Sequence, residues 1–134
     1  MSDNTGLMGR WQLLGKNPKI ICDTAHNKEG LQLVLNQLKE EDYQRLHIVL
    51  GFVKDKNMES VLPLFPKNAQ YYFCKPDIMR GLDVTILKEK AAIFNLKGES
   101  YPSISAAYNA AKKNASVKDL VYIGGSNFVV AEVL

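Results

Sequence analysis

Three short stretches of this sequence combine glycine, carboxylate, hydroxyl and cationic side chains in a way that suits a phosphorylated ligand. They are Asp23-Thr24-Ala25-His26-Asn27, Gly51-Phe52-Val53-Lys54-Asp55-Lys56 and Gly124-Gly125-Ser126-Asn127. Arg10, with Lys54 or Lys56, offers cationic donors for phosphate oxygens. Asp23 can accept hydrogen bonds from ribose hydroxyls or pair with Arg10, and the N–H groups of a helix starting at Asn27 can face an anion. His26 can donate to a carboxylate or shuttle a proton. Each residue also has an architectural role open to it. Asp23 suits a cap, His26-Asn27 a helix start, Lys54-Asp55-Lys56 a solvated loop, and Gly-Gly-Ser a turn. The residue types alone therefore reach as far as a nucleotide or anion site.

Which elements would bring these stretches together follows from apolar periodicity. Trp11 to Leu14 and Lys19 to Cys22 read as two short strands joined by the turn Gly15-Lys16-Asn17-Pro18, a link short enough to make them an antiparallel pair. Arg10 before the first strand and Asp23 after the second are then expected side by side. Asn27 to Glu40 reads as a helix capped by Asn27, with Leu31, Val34, Leu35 and Leu38 in one stripe. Arg45 to Phe52 is a strand apolar on both faces. Met58, Val61, Leu62 and Phe65 repeat the helical spacing, and Pro63 should kink or end that helix. Gln70 to Cys74 is a further strand. Asp83 and Ser103 cap helices with inner faces Val84, Leu87, Ala91, Phe94 and Ile104, Ala107, Tyr108, Ala111. A brief extended stretch is expected near Ser100 and Tyr101, a last strand at Leu120 to Ile123, and a final helical turn or two from Phe128 to Leu134. Strand alternating with helix predicts an α/β fold: a three-layer, Rossmann-like open sheet, mostly parallel, with one antiparallel strand from the N-terminal hairpin. In such sheets ligands bind beyond the carboxyl ends of the strands, and all three polar stretches follow strand ends.

Composition narrows the function classes. A chain of 134 residues with 46% hydrophobic and 23% charged residues has the size and make-up of one folded domain. A net charge of +3, evenly scattered, is too mild to mark a nucleic-acid protein. No apolar run reaches membrane-spanning length, and the first residues lack the pattern of a signal peptide. Cys22 and Cys74 stand in no metal-like spacing, so reduced thiols and a cytoplasmic location are expected. Neither Gly-x-x-x-x-Gly-Lys-Ser/Thr nor Gly-x-Gly-x-x-Gly occurs, so this chain by itself could hold only part of a nucleotide.

Gly9-Arg10-Trp11, Pro18 and Ile21-Cys22-Asp23-Thr24-Ala25-His26-Asn27 resemble the Gly-Arg…Pro…Asp-Gly-Ala-His-Asn segment of folylpolyglutamate synthases and dihydrofolate synthases. Gly51 to Asn57, Pro76…Arg80-Gly81 and Gly124-Gly125-Ser126-Asn127-Phe128 are similar to later segments of that family, in the same order, so the resemblance covers essentially the whole chain. It departs at Thr24, where the family often has Gly, and at Lys28, where Pro is common. The family belongs to the Mur ligase superfamily, and the resemblance is to its C-terminal domain. It implies that residues 1–134 are one such domain of a larger two-domain ligase, whose N-terminal P-loop ATPase domain is its partner. It further implies a reaction in which ATP converts a folate or dihydropteroate carboxylate to an acyl phosphate, which L-glutamate then attacks. Residue by residue, Arg10 would contact the phosphates and share the catalytic role with His26. Asp23 and Asn27 would bind the nucleotide, with Asp23 at the ribose, and His26 and Ser126 would lie near the incoming glutamate. Lys54 and Lys56 would be loop cations near the cleft, and Arg80 has no assigned role. Mg2+ would be held mainly by the other domain. A non-catalytic nucleotide- or anion-binding module of the same fold is the alternative. A Mur-type ligase acting on cell-wall peptides fits Asp-Thr-Ala-His-Asn less well.

Overall fold

The computed structural model describes residues 11–25, 27–54 and 57–133. Six strands form one sheet: β1 (Gln12–Gly15), β2 (Lys19–Cys22), β3 (Leu46–Leu50), β4 (Gln70–Phe73), β5 (Gly98–Ser100) and β6 (Leu120–Gly124). Their spatial order is β1-β2-β6-β3-β4-β5. Only β1 runs antiparallel, pairing Gln12 with Cys22; the other neighbours are parallel. The first strand starts one residue later than periodicity places it, because Trp11 takes a positive φ of 45°. β6 is the last strand in sequence yet sits between β2 and β3, with Cys22 opposite Ile123 and Leu50 opposite Gly124.

Helices cover both faces. α1 (Lys28–Lys39), α2 (Asn57–Val61) and α3 (Val84–Ile93) pack on one, and α4 (Ile104–Asn114) and α5 (Asn127–Val133) on the other. Strand side chains alternate between the layers, as a period of two requires. Ile21, Ile48, Leu50, Tyr71, Phe73 and Tyr122 join the first core, while Cys22, Val49, Tyr72, Cys74, Val121 and Ile123 join the second. All five residues of β3, and all five of β6, are buried. That explains their unbroken apolar runs.

Local chemistry sets the helix ends. The Asn27 side chain accepts from the Gly30 N–H at 2.7 Å, and Leu31, Val34, Leu35 and Leu38 are the buried stripe of α1. α2 ends at Val61 and the chain tightens into a 3-10 turn, Leu62–Leu64, because Pro63 has no N–H to continue an α-helix. Asp83 and Ser103 cap α3 and α4 through the N–H groups of Thr85 and Ala106. Within the two predicted inner faces, Leu87, Ala91, Ile104, Ala107 and Ala111 are buried, whereas Val84, Phe94 and Tyr108 lie at the margins of the cores. Both cysteines are free and buried. Burial, with help from Asp23, pushes the Cys22 thiol up to about 11, and burial, with help from Glu132, pushes Cys74 up to about 12. Neither is therefore a ready nucleophile. Among the described residues no helix is long and apolar enough to cross a membrane.

The topology places the site. The chain leaves β2 and β3 toward the α1–α2 layer but leaves β6 toward the α5 layer. That change of direction makes the carboxyl end of β6 the place where open sheets of this kind bind their ligands.

Candidate functional site at the carboxyl ends of the strands

Asp23 is the first residue beyond β2. Its N–H donates to the Ile123 carbonyl at 3.2 Å, which continues the parallel ladder and sets Asp23 beside Gly124. The side chain is buried and anchored twice. Oδ1 accepts from the Ala25 N–H, and Oδ2 from the Trp11 N–H, each at 2.8 Å. The first bond closes a local turn. The second, across the hairpin, holds Trp11 in the left-handed region that few non-glycine residues adopt. Asp23 thus grips the backbone immediately after Arg10 in sequence. A carboxylate can accept about four hydrogen bonds, and the described residues supply two of them.

Close approach of backbone shapes these strand ends. Gly125 has φ of 98°, and a Cβ there would lie 2.5 Å from the Gly51 carbonyl. A Cβ on Gly51 would meet the Cys74 carbonyl at 2.8 Å and Val129 at 2.9 Å. These glycines let the ends of β6, β3 and β4 draw together. Ser126 follows directly and is buried, and its carbonyl accepts from the Val129 and Val130 N–H groups at the start of α5.

The predicted site residues thus divide into three groups. Asp23, the Asn27 cap of α1 and Ser126 are brought to adjoining strand ends. Lys54 is exposed, and its N–H donates to the Arg80 carbonyl at 2.6 Å while Val53 bridges Gly81. That loop is therefore tied toward the segment after β4 rather than toward Asp23. Arg10, His26 and Lys56 lie outside the described residues. Asn27 spends its carbonyl oxygen on Gly30, so its amide N–H2 is the part left to face a ligand. Sequence reasoning overlooked Trp11, whose contribution is a backbone N–H, and Tyr122, whose hydroxyl lies against Gly124 at the end of β6. Among the described residues no group of three or more His, Cys, Asp or Glu side chains is placed to hold a metal ion.

A second buried polar cluster occupies the opposite, amino ends of the strands. His47 Nδ1 lies 2.8 Å from the Tyr72 hydroxyl and Nε2 lies 2.9 Å from Asp119 Oδ2. The Asn114 amide donates to the Tyr72 hydroxyl at 3.3 Å. Tyr72 then donates to Nδ1, and Nε2–H donates to Asp119, a tautomer that satisfies every member. Asp119 also accepts from the backbone N–H groups of Arg45 and Ser116. Burial works to raise the Asp119 pKa, but hydrogen bonds from His47 and Ser116 prevail and hold it at about 2.

Comparison with known proteins agrees with this fold. Residues 9–127 match the family described as Mur ligase, glutamate ligase domain. A probable bifunctional folylpolyglutamate synthase/dihydropteroate synthase of Haloferax volcanii is 35% identical over 125 residues, covering 92% of this chain and 15% of that protein. The dihydrofolate synthase/folylpolyglutamate synthase of Escherichia coli is 28% identical over 130 residues, covering 96% of this chain and 30% of that protein. The solved structure of E. coli FolC in complex with DHPP and ADP superposes with a TM-score of 0.84 at 28% identity, covering 93% of this chain and 30% of that one. The chain thus spans less than a third of the length of each of these relatives. With that match over most of its residues, and with the shared fold to go with it, the chain belongs to the Mur ligase family, as a glutamate ligase domain.

Proposed function

We propose that this chain is the C-terminal domain of an ATP-dependent ligase that adds L-glutamate to a folate or to dihydropteroate, and that it supplies half of that enzyme's active site. The observation that carries the reading is the meeting of the β2 and β6 ends, where Asp23, holding one donor on each carboxylate oxygen among the described residues, lies beside the glycines that draw the strand ends together. The relatives' names and the resemblance of the strand-end motifs support the substrate class.

In this reading Asp23 and the start of α1 face the nucleotide, with the spare lone pairs of Asp23 accepting ribose hydroxyls. Arg10 brings positive charge to the transferring phosphoryl group, where charge supplied from a second domain stabilises the transition state. That phosphoryl transfer to the substrate carboxylate releases ADP, and His26 and Ser126 then orient the amine and carboxylate of L-glutamate for attack on the acyl phosphate, which forms the amide and releases phosphate. A partner P-loop domain in the same polypeptide holds the triphosphate and Mg2+, which there neutralises phosphate charge and polarises the P–O bond. Closure of this domain over that one excludes water from a hydrolysable intermediate. The enzyme works in the cytoplasm, and this domain alone is inactive.

Calorimetric titration of the 134-residue chain with ADP tests the half-site. A dissociation constant on the order of 1 mM is expected from so few contacts, whereas micromolar affinity would favour a self-sufficient binding module. In the two-domain ligase, Arg10→Ala should lower turnover by about a hundredfold or more. Unchanged turnover sinks the assignment of Arg10.

A further inference from the structure

Tyr122 is fully buried, and its hydroxyl has no hydrogen-bond partner among the described residues. Buried tyrosines ordinarily find a partner, and one left without is costly. The hydroxyl's position shows what it is aimed at. A Cβ on Gly124 would lie 2.5 Å from the hydroxyl oxygen and 2.8 Å from two ring carbons, so the ring runs along its own strand over Gly124 toward the carboxyl end. Gly124 is the strand neighbour of Asp23. Period-two alternation from the paired Ile21 and Tyr122 puts Asp23 on the same face of the sheet. Burial, and then the charge of Asp23, push the phenol well above its usual range, so it is a neutral O–H donor at any physiological pH.

We propose that the Tyr122 hydroxyl is a positioning group for Asp23, donating to the Asp23 carboxylate, directly or through one buried water, when ribose hydroxyls of a nucleotide engage that carboxylate. The inference rests on the reading of Asp23 as the ribose acceptor. It accounts for three features together: the unpartnered hydroxyl, the glycine that its ring requires at position 124, and a carboxylate with both oxygens anchored but not saturated. Hydrogen bonds that serve a ligand commonly tighten only in the complex. The hydroxyl itself never reaches the ligand, because Tyr122 has no exposed surface.

The test compares the 134-residue chain with its Tyr122→Phe, Asp23→Asn and doubly substituted forms by NMR titration and thermal unfolding. ADP and inorganic pyrophosphate are the probes. Tyr122→Phe should melt no lower than wild type, since it removes a buried polar atom without a partner. It should weaken ADP about three- to tenfold, leave pyrophosphate binding unchanged because pyrophosphate has no ribose, and add nothing in the Asp23→Asn background. Wild-type ADP affinity in Tyr122→Phe, with Asp23→Asn weakened, overturns the inference and leaves the ribose reading standing. Equal weakening toward both probes also overturns it, since that marks a merely structural hydroxyl. If Asp23→Asn binds ADP like wild type, or if the wild-type chain binds no ADP in the tens of millimolar, both the reading and the inference fail.

Discussion

At the amino ends of its strands the sheet uses both ring nitrogens of His47, saturates the Tyr72 hydroxyl and surrounds Asp119 with donors. At the carboxyl ends it leaves Asp23 with open lone pairs and Tyr122 without a partner among the described residues. The same parallel register delivers both clusters, yet the first is a completed network and the second an incomplete one. A saturated buried network rigidifies what it joins, here β3, β4, α4 and the start of β6. Unspent hydrogen-bonding capacity makes no such contribution and is useful only to an incoming group. In the proposed reading, stability and recognition then fall to opposite ends of one sheet.

The largest test of that division is Asp119→Ala. It strands the buried His47 N–H and removes the acceptor of two part-buried backbone N–H groups, and the expected loss is about 3 kcal/mol. Urea unfolding should show it as a lower midpoint with an unchanged slope. ADP binding at the far end should match wild type under conditions where the variant is folded. A strong effect on binding would mean that the two ends are coupled through β6.

Much of this arrangement is legible in the sequence because it is local. The stripe of α1, its Asn27 cap, the stop at Pro63 and the two-sided burial of β3 each follow from residues within a turn or two of one another. The strand-end rule also brings Asp23 and Ser126 to adjoining strand ends, since alternation of strand and helix fixes which ends share an edge. Asp23 is legible as a candidate, but its anchor is not. That anchor is a backbone N–H twelve positions away, delivered by the way the hairpin closes. His47 meets partners 25 and 72 positions along the chain, and no periodicity links a histidine inside an apolar strand to them. Tyr122 reads as one more apolar core residue, and only the missing side chain at Gly124 reveals where its hydroxyl goes.

A smaller effect comes from pH. The Asp119 carboxyl sits at about 2 rather than its ordinary 3.8. Because its pKa is depressed in the folded state, its contribution is fully present above pH about 4 and disappears as pH falls through about 2. The amount is on the order of 2 kcal/mol. Unfolding free energies measured across that window for the wild type and Asp119→Asn should converge as the pH falls. Parallel curves would show that the network draws nothing from the Asp119 charge.

The smallest expected effect lies at the ligand end and separates architecture from recognition in a single residue. Asn27 uses Oδ1 to cap α1, and its amide N–H2 is the group that the proposed reading offers to a nucleotide. Asn27→Ala should cost about 1 kcal/mol and lower hydrogen-exchange protection of the Gly30 and Leu31 amides. Asn27→Ser keeps an oxygen able to accept from Gly30, so its stability should stay within a few tenths of a kcal/mol of wild type. It lacks the amide donor, however, and any loss of ADP affinity in that variant is a loss of recognition alone. If Asn27→Ser binds ADP as wild type does, Asn27 belongs with the saturated groups of the other end, and the open capacity of the site narrows to Asp23 and what approaches it.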